Sequence, residues 1–391
     1  MKLPRALTAA LLVTAAAVAF AATTPTMNAG ATAPATTSGA VDAPAMSASA
    51  VPAKAAPASA APLPRVRHVF VINLENKGYA QTFGASSRAP YLRKTLRGKG
   101  QLLSQYFGVA HHSLPNYIAQ LSGQGPNPQT QADCGVYRNF TGSGTVAPGQ
   151  AIGHGCVYPT RVRTVANQLT THGLRWKGYM QDMRSPCRHP ALNTRDRTQT
   201  ARVGDQYAAR HNPFVYFHSI IDSRKCAKYN VDLTRLPNDL ARIWTTANLT
   251  YITPNLCSDG HDIPCVDGRP GGLITANRWL RRWVPKILAS PAYKKNGLLI
   301  VTFDEAGSSS ASGATACCGE GPGPNSALPG ITGLGGGRVG AVLVSRFITP
   351  GSSNSTPYNH YSLLRTIENM FGLTPLGYAR NARGFGHDVF G

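Results

Sequence analysis

Residues 67–74 read RHVFVINL and run without a break into Glu75-Asn76. The stretch is short, apolar on both alternating faces and rich in Val and Ile, the pattern of a strand covered on both sides of a sheet. A second run of the same kind, LLIVTF at 298–303, leads directly into Asp304-Glu305. In open α/β sheets ligands bind beyond the carboxyl ends of the strands. Two acidic segments at two strand ends therefore mark one rim, in a chain with only 17 Asp and Glu. Hard oxygen donors of this type suit a divalent cation. The structural alternative is that they cap turns or pair with surface arginines.

Working outward, further strands are expected at 177–181, 213–217, 249–253 and 339–345. Helices are expected at 89–98, 114–121, 162–172, 272–290 and 361–371. Pro115 falls in a first turn, where a missing N–H costs nothing. Gly173 and Gly372 stand where helices stop, and Pro285 should kink its helix or end it early. Residues 308–337 are dominated by Gly, Ser, Ala and Pro and read as a long surface loop. Strands alternating with helices predict an α/β domain with a mainly parallel central sheet flanked by helices.

The first residues read as an export leader. Lys2 and Arg5 precede a weakly apolar run at 6–20, and Ala19-Phe20-Ala21 is a small-x-small cleavage site. A retained anchor is the alternative. Residues 22–64 are Ala, Pro, Ser and Thr with Asp42 and Lys54 as their charges, too little apolar surface to offset ordering entropy, so a disordered linker is expected there. The domain is then 65–391, in a secreted or periplasmic protein.

Thirty-nine Lys and Arg give a net charge of +22, or +20 once Lys2 and Arg5 are removed with the leader. Such a surface attracts phosphate esters, anionic membrane surfaces or anionic envelope polymers. Basic runs interleaved with aromatics, the mark of a nucleic-acid platform, are missing, so no specific nucleic-acid partner is expected. Eight cysteines in an exported chain point to disulfides. Cys257 with Cys265, Cys134 with Cys156 and Cys187 with Cys226 are plausible pairs, whereas the adjacent Cys317 and Cys318 either bond each other or separate partners. The spacings do not suit paired C-x2-C zinc ligands.

Three more segments carry chemistry. In HHSLPNY (111–117) Ser113 lies at a helix start, where free N–H groups and the dipole favour an anion; an ordinary N-cap serine is the plain alternative. In NLCSDGHD (255–262) His261 lies between two acids, which suits a general acid or a phosphate-binding group; a polar loop stapled by its cysteines is the other reading. In RHNPF (210–214) His211 is a second candidate for phosphate, or a structural histidine.

FVINLENKGYA, HHSLPNYIAQLSG, RHNPFVYF, PNLCSDGHD, VTFDEAG and YNHYSLLRTIENMFGLTPLGYA follow one another over roughly residues 66–380. In this order they resemble the bacterial phosphoesterase family of secreted acid phosphatases and phospholipases C, within the alkaline-phosphatase-like superfamily. The resemblance implies an alkaline-phosphatase-like sheet with long surface loops. It implies Ser113 as a transiently phosphorylated nucleophile, Asn116 as a phosphate contact, and His211 and His261 as active-site histidines. It further implies Glu75, Asn76, Asp304 and Glu305 as the rim holding a divalent metal ion. His111 and His360 fall in the same motifs. Some members continue the acidic run where Ala306-Gly307 follow here, which leaves metal number and identity open.

The expected activity is hydrolysis of phosphate monoesters, phosphoinositides included, through a phosphoserine with metal assistance. A phospholipase C-type diesterase is the alternative within the family. A non-enzymatic binder of anionic envelope components is the alternative outside it, against which the intact set Glu75, Asn76, Ser113, Asp304 and Glu305 weighs. Sulfatase chemistry is disfavoured because no arginine follows two residues after Pro115.

Overall fold

The computed structural model describes residues 63–307 and 313–391. The leader expected at 1–21, and the linker at 22–64 except for its last two residues, lie outside the described residues. The eight strands of the main sheet are β1 (His68–Leu74), β2 (Gln101–Leu103), β3 (Trp176–Met180), β4 (Asn230–Asp232), β5 (Leu249–Thr253), β6 (Gly297–Phe303), β7 (Ala341–Ser345) and β8 (Ser353–Asn354). Their order is β8-β2-β7-β6-β1-β5-β3-β4. The five strands β6, β1, β5, β3 and β4 run parallel to one another, and β7 is antiparallel to both β6 and β2. The sheet is mainly parallel, as the sequence predicts.

Every residue of β1 and β6 is buried. Burying one such Val, Ile or Leu contributes about 1.5–3 kcal/mol, so the pattern that makes these segments strands also keeps them central. Val69 to Ile72 pair with Leu249 to Ile252 on one side and with Leu298 to Val301 on the other. The ladder continues past the strand ends, where Asp304 N–H donates to Leu74 C=O at 2.9 Å and Glu75 N–H to Asp259 C=O at 3.0 Å. Three acidic residues from distant parts of the chain are thereby fixed side by side.

Among the described residues the longer helices are α1 (Ser113–Ser122), α2 (Val165–Thr171), α3 (Gly272–Ala289) and α4 (His360–Phe371). All of α1 is buried, and it ends at Gly123, whose φ of 67° is the left-handed cap glycine accepts readily. The side chains of Thr164 and Asn167, and of Asn359 and Ser362, form reciprocal capping boxes that start α2 and α4. Helix α1 packs beside α4. A buried polar network ties it to the sheet: Gln120 donates to Asn73 Oδ1 at 3.1 Å and accepts from Tyr251 OH at 2.8 Å.

Several expectations are corrected. Residues 213–217 are not a strand: Pro213–Tyr216 is a 3-10 turn with Pro at its start. A four-residue apolar run cannot distinguish the two by pattern, and the proline presets the helical φ. Residues 89–98 form a π-helical turn (Tyr91–Leu96) followed by a 3-10 turn (Arg97–Lys99). Helix α2 starts at Val165 because Thr164 caps it. Helix α3 continues through Pro285, which is exposed together with Arg281, so the missing backbone bond falls on the outer face of the helix. The expected surface loop is partly buried over its described portion, with Ala314 and Glu320 inside.

The cysteines pair as Cys134–Cys156, Cys187–Cys226, Cys257–Cys265 and Cys317–Cys318. No helix among the described residues is long and apolar enough to cross a membrane.

Candidate active site

Ser113 is the first residue of α1, one position later than a cap. Leu114 N–H already donates to Asp133 Oδ1 at 2.9 Å, and Pro115 has no N–H, so the helix start offers fewer free donors than expected. The Ser113 hydroxyl donates to Glu75 Oε2 at 2.8 Å. Tyr117, one turn along the same face, donates to Glu75 Oε1. Tyr117 also stacks on His211, with centroids 5.5 Å apart and planes at 9°. His211 lies on a 3-10 turn, Ala209–His211. Its Nδ1 is 3.2 Å from Asp259 Oδ2, and its Nε2 is 3.3 Å from Glu75 Oε2 without hydrogen-bond alignment.

On the other side of Glu75, Asn76 N–H donates to Asp304 Oδ1 at 3.0 Å and Asn76 Nδ2 to Glu305 Oε1 at 3.1 Å. Asn76 has φ 47°, a left-handed conformation that Asn tolerates better than most residues. The opposite carboxylate oxygen of Glu305 meets His111 Nδ1. His111 Nε2 in turn lies 3.1 Å from Gly313 C=O. His360 reaches the backbone oxygen of Asp304 with Nε2 and faces Tyr106 OH with Nδ1 at 3.0 Å, so it supports the rim from beneath.

Asn116 is buried with both ends of its amide engaged. Oδ1 accepts from Val109 N–H and Ala110 N–H at 2.8 and 3.1 Å, and Nδ2 donates to Ala110 C=O and His112 C=O at 2.8 and 2.9 Å. Here it shapes the segment leading to Ser113, and a phosphate contact would require one of these bonds to open. His261 is the most exposed member of the group, at 33% of its side chain. Its Nδ1 is 2.8 Å from Asp262 Oδ1, and Arg210 Nη2 is 3.2 Å from its Nε2. Since guanidinium only donates, Nε2 accepts and Nδ1 carries the proton toward Asp262.

The structure thus brings together Ser113, Glu75, Asn76, Asp304, Glu305 and His211, with His261 linked through Arg210. It adds Tyr117, Asp259, Arg210 and Lys77, to which sequence reasoning assigned no role. Tyr117 is detectable as the residue one helical turn from Ser113, and Asp259 as the acid in the NLCSDGHD segment. Lys77 carries no local sign beyond following Asn76; its Nζ donates to Asn76 C=O at 3.0 Å.

Four carboxyls are buried here. Burial, then repulsion from Asp304 and Asp259, pushes the Glu75 carboxyl well above the usual range. Burial likewise raises Asp259, Asp304 and Glu305, the last also through Asp304. Burial, then the Arg210 guanidinium and His261, holds His211 well below an ordinary histidine, so it is neutral. Burial lowers Lys77 against the pull of the surrounding acids. Such a cluster ionises fully only beside added positive charge.

The donor set fits a divalent cation. Asn76 Oδ1 and Asp304 Oδ2 are buried without a hydrogen-bond partner, and unpartnered buried oxygens are costly unless something binds them. With Glu75 they make a hard-oxygen set. Glu75, His211 and Asp259 offer a second set, with ligand atoms within 4.8 Å of one another. Glu75 is common to both. Glu305 has both oxygens occupied, as Glu75 has by Ser113 and Tyr117, so of the three rim carboxyls Asp304 alone offers an open oxygen and Glu75 would have to exchange a hydrogen bond for the cation.

The Phosphoesterase family model matches residues 87–374. A phosphate-repressible acid phosphatase of Penicillium chrysogenum is 25% identical over 285 residues, 72% of this chain and 54% of the relative. A phosphatidylinositol-3-phosphatase of Mycobacterium tuberculosis is 26% identical over 320 residues, 82% of each chain. This chain spans 54–55% of the length of the first two fungal acid phosphatases it matches. A solved protein of the alkaline phosphatase superfamily from Vibrio parahaemolyticus aligns at TM-score 0.48 and 10% identity, over 82% of this chain and 70% of that one.

Proposed function

We propose that this chain, which belongs to the Phosphoesterase family, hydrolyses phosphate monoesters through attack by Ser113 on phosphorus. The observation that carries the reading is the Ser113 hydroxyl held 2.8 Å from Glu75 Oε2, next to buried oxygens of Asn76 and Asp304 that have no partner. Glu75 orients the hydroxyl and stands ready to take its proton; Tyr117 fixes the other Glu75 oxygen. Attack forms the Ser113–phosphorus bond and breaks the bond to the ester oxygen. His261, at the solvent side and braced through Nδ1 by Asp262, would deliver a proton to that leaving oxygen from Nε2, after taking that proton up from solvent as Arg210 turns away from the ring. Water then attacks the phosphoserine, releases inorganic phosphate and restores the hydroxyl.

Glu75, Asn76 and Asp304 would hold a divalent cation, with His211 and Asp259 extending the set. Bound there, the cation supplies positive charge toward a phosphoryl oxygen and the serine oxygen, where such reactions depend on charge neutralisation. Arg210, buried and donating to Gln199 C=O at 2.9 Å, keeps a fixed cationic group near the same place.

The mycobacterial relative's activity supports lipid-borne phosphomonoesters as one substrate class, in keeping with the +20 charge of the chain without its leader residues. Export beyond the inner membrane is supported by the four disulfides. The test is phosphate release from nitrophenyl phosphate, with and without chelator, beside nitrophenyl phosphorylcholine. Chelator-sensitive release from the first supports the reading. Release from the second alone moves the protein to the diesterases, and inactivity on both with every divalent cation tried leaves an anion binder.

A further inference from the structure

Apart from the Glu75 cluster, at the same carboxyl edge of the sheet, α3, the end of β4 and the segments following β3, β4 and β5 border an open pocket of about 380 Å³. That is within the size range of small-ligand sites. Arg278, Trp279, Arg282 and Trp283 line it from α3, at spacings that put them on one helix face. Asp182 and Asp232 line it from the strand ends.

The charges in this pocket are unevenly matched. Asp182 Oδ2 accepts from Asn255 at 2.6 Å, and Asp232 accepts from Thr234 N–H at 2.9 Å and Arg184 N–H at 2.9 Å. Of the three arginines that line it, Arg269 pairs with Asp267, whereas Arg278 and Arg282, both exposed, have no such partners. Among the described residues Arg278 has no hydrogen bond or ion pair, and Arg282 has only the Trp283 ring, 5.8 Å from its guanidinium to the centroid. The indoles of Trp279 and Trp283 lie 5.9 Å apart at 32°, presenting a broad apolar wall.

Two guanidinium groups without an anion suit a phosphate, which they grip in bidentate fashion. The carboxylates would repel a bare phosphate, yet they are good acceptors for hydroxyl groups. An indole wall suits the C–H face of a saturated ring. We propose that this pocket binds a phosphorylated polyhydroxyl ring, its phosphate on Arg278 and Arg282, its hydroxyls on Asp182 and Asp232, its ring against Trp283. The site stands on its own residues and is independent of hydrolysis at Ser113. It does adjoin the catalytic loop, since Ser258, next to Asp259, also lines it.

The experiment is a tryptophan-fluorescence titration of the full chain, in which two of the four tryptophans line the pocket. The probe is a hydrolysis-resistant phosphonate analogue of myo-inositol 1-phosphate, compared with inorganic phosphate and with myo-inositol. The expected result is a saturable change with the analogue that is weakened at least about tenfold in an Arg278→Gln/Arg282→Gln variant. The same variant should keep its thermal midpoint and its release of phosphate from nitrophenyl phosphate. No saturable change, or equal affinity in wild type and variant, overturns the proposal. Inorganic phosphate binding as tightly as the analogue overturns its ring and hydroxyl part.

Discussion

The Ser113 hydroxyl and the Glu75 carboxylate are joined at 2.8 Å across 38 residues of sequence, one at the start of a buried helix and the other at the end of a buried strand. Both side chains are inside, so bulk water does not compete for this hydrogen bond. Replacing Ser113 by Ala removes one neutral donor to Glu75 and the proposed nucleophile together. Turnover of nitrophenyl phosphate should fall by at least about 10³-fold. The fold should be kept with a lowered thermal midpoint, since leaving the buried Glu75 oxygen without its donor costs about 1–3 kcal/mol. A Ser113→Ala protein turning over normally would end the phosphoserine mechanism.

The crowding of Glu75, Asp259, Asp304 and Glu305 predicts a stability effect that needs no substrate. Divalent cation at about 100 times its Kd should stabilise the fold by about 2.7 kcal/mol, read as a rise in the thermal midpoint that chelator reverses. Asp304→Asn removes one repelling carboxyl. It should raise the midpoint of the metal-free protein and abolish the cation-induced rise. If the variant keeps the full rise, the cation is held by Glu75, His211 and Asp259 instead.

His261 is predicted to act on the leaving group. His261→Gln should lower kcat for an alkyl phosphate by roughly 10²-fold or more, the usual scale for a lost general acid. For nitrophenyl phosphate, whose leaving group needs no proton, the loss should be far smaller. Equal losses on both substrates would make His261 a binding or structural residue.

Glu368 predicts a pH dependence far from the site. Its Oε1 accepts from Leu376 N–H at 2.8 Å, its Oε2 has no partner, and burial pushes its carboxyl up from 4.5 to about 8. The folded state keeps this proton where the unfolded chain has released it. Its contribution to stability is therefore full below the unfolded value and is lost as pH rises from 4.5 to about 8. Glu368→Gln should flatten the decline of the denaturant midpoint over that interval. An unchanged slope would show that Glu368 is not its source.

The Cys257–Cys265 bridge closes a loop that carries Ser258, Asp259 and His261. Chain entropy for so short a loop gives a stabilisation of about 2–3 kcal/mol. The double serine variant should lose that much in chemical denaturation, and at temperatures where it remains folded its kcat should still be reduced, because Asp259 and His261 lose their fixed relation. Full kcat in the folded variant would show that the loop is held by its hydrogen bonds alone.

The central strands were legible because β1 and β6 are covered on both faces, which forces nearly continuous apolar runs, and their acidic ends followed from the rule for parallel sheets. Ser113 and the rim residues were picked out by the motifs that carry the family resemblance, and the structure places them beside one another. Phe214 was not: it is buried in a 3-10 turn, and burial alone gives a short segment the same composition as a strand. Tyr117, Arg210 and Lys77 were obscured because their roles depend on what stands across from them. Asp259 was read only as a neighbour of His261, whereas the fold directs its side chain to His211. Pro285 misled because its cost depends on where the missing backbone bond falls, and in α3 it falls on the outer face.

The placement of β1 between β5 and β6 has a consequence for the timing of synthesis. Glu75 is made early, but its neighbours at 259 and 304 come from strands that reach it only after most of the chain exists. A nascent chain shorter than about 300 residues has Ser113, Glu75 and, once past residue 259, Asp259, but lacks Asp304 and Glu305. On the proposed mechanism the rim is complete only once translation has passed residue 305, so the strand order delays assembly of the site until most of the chain exists.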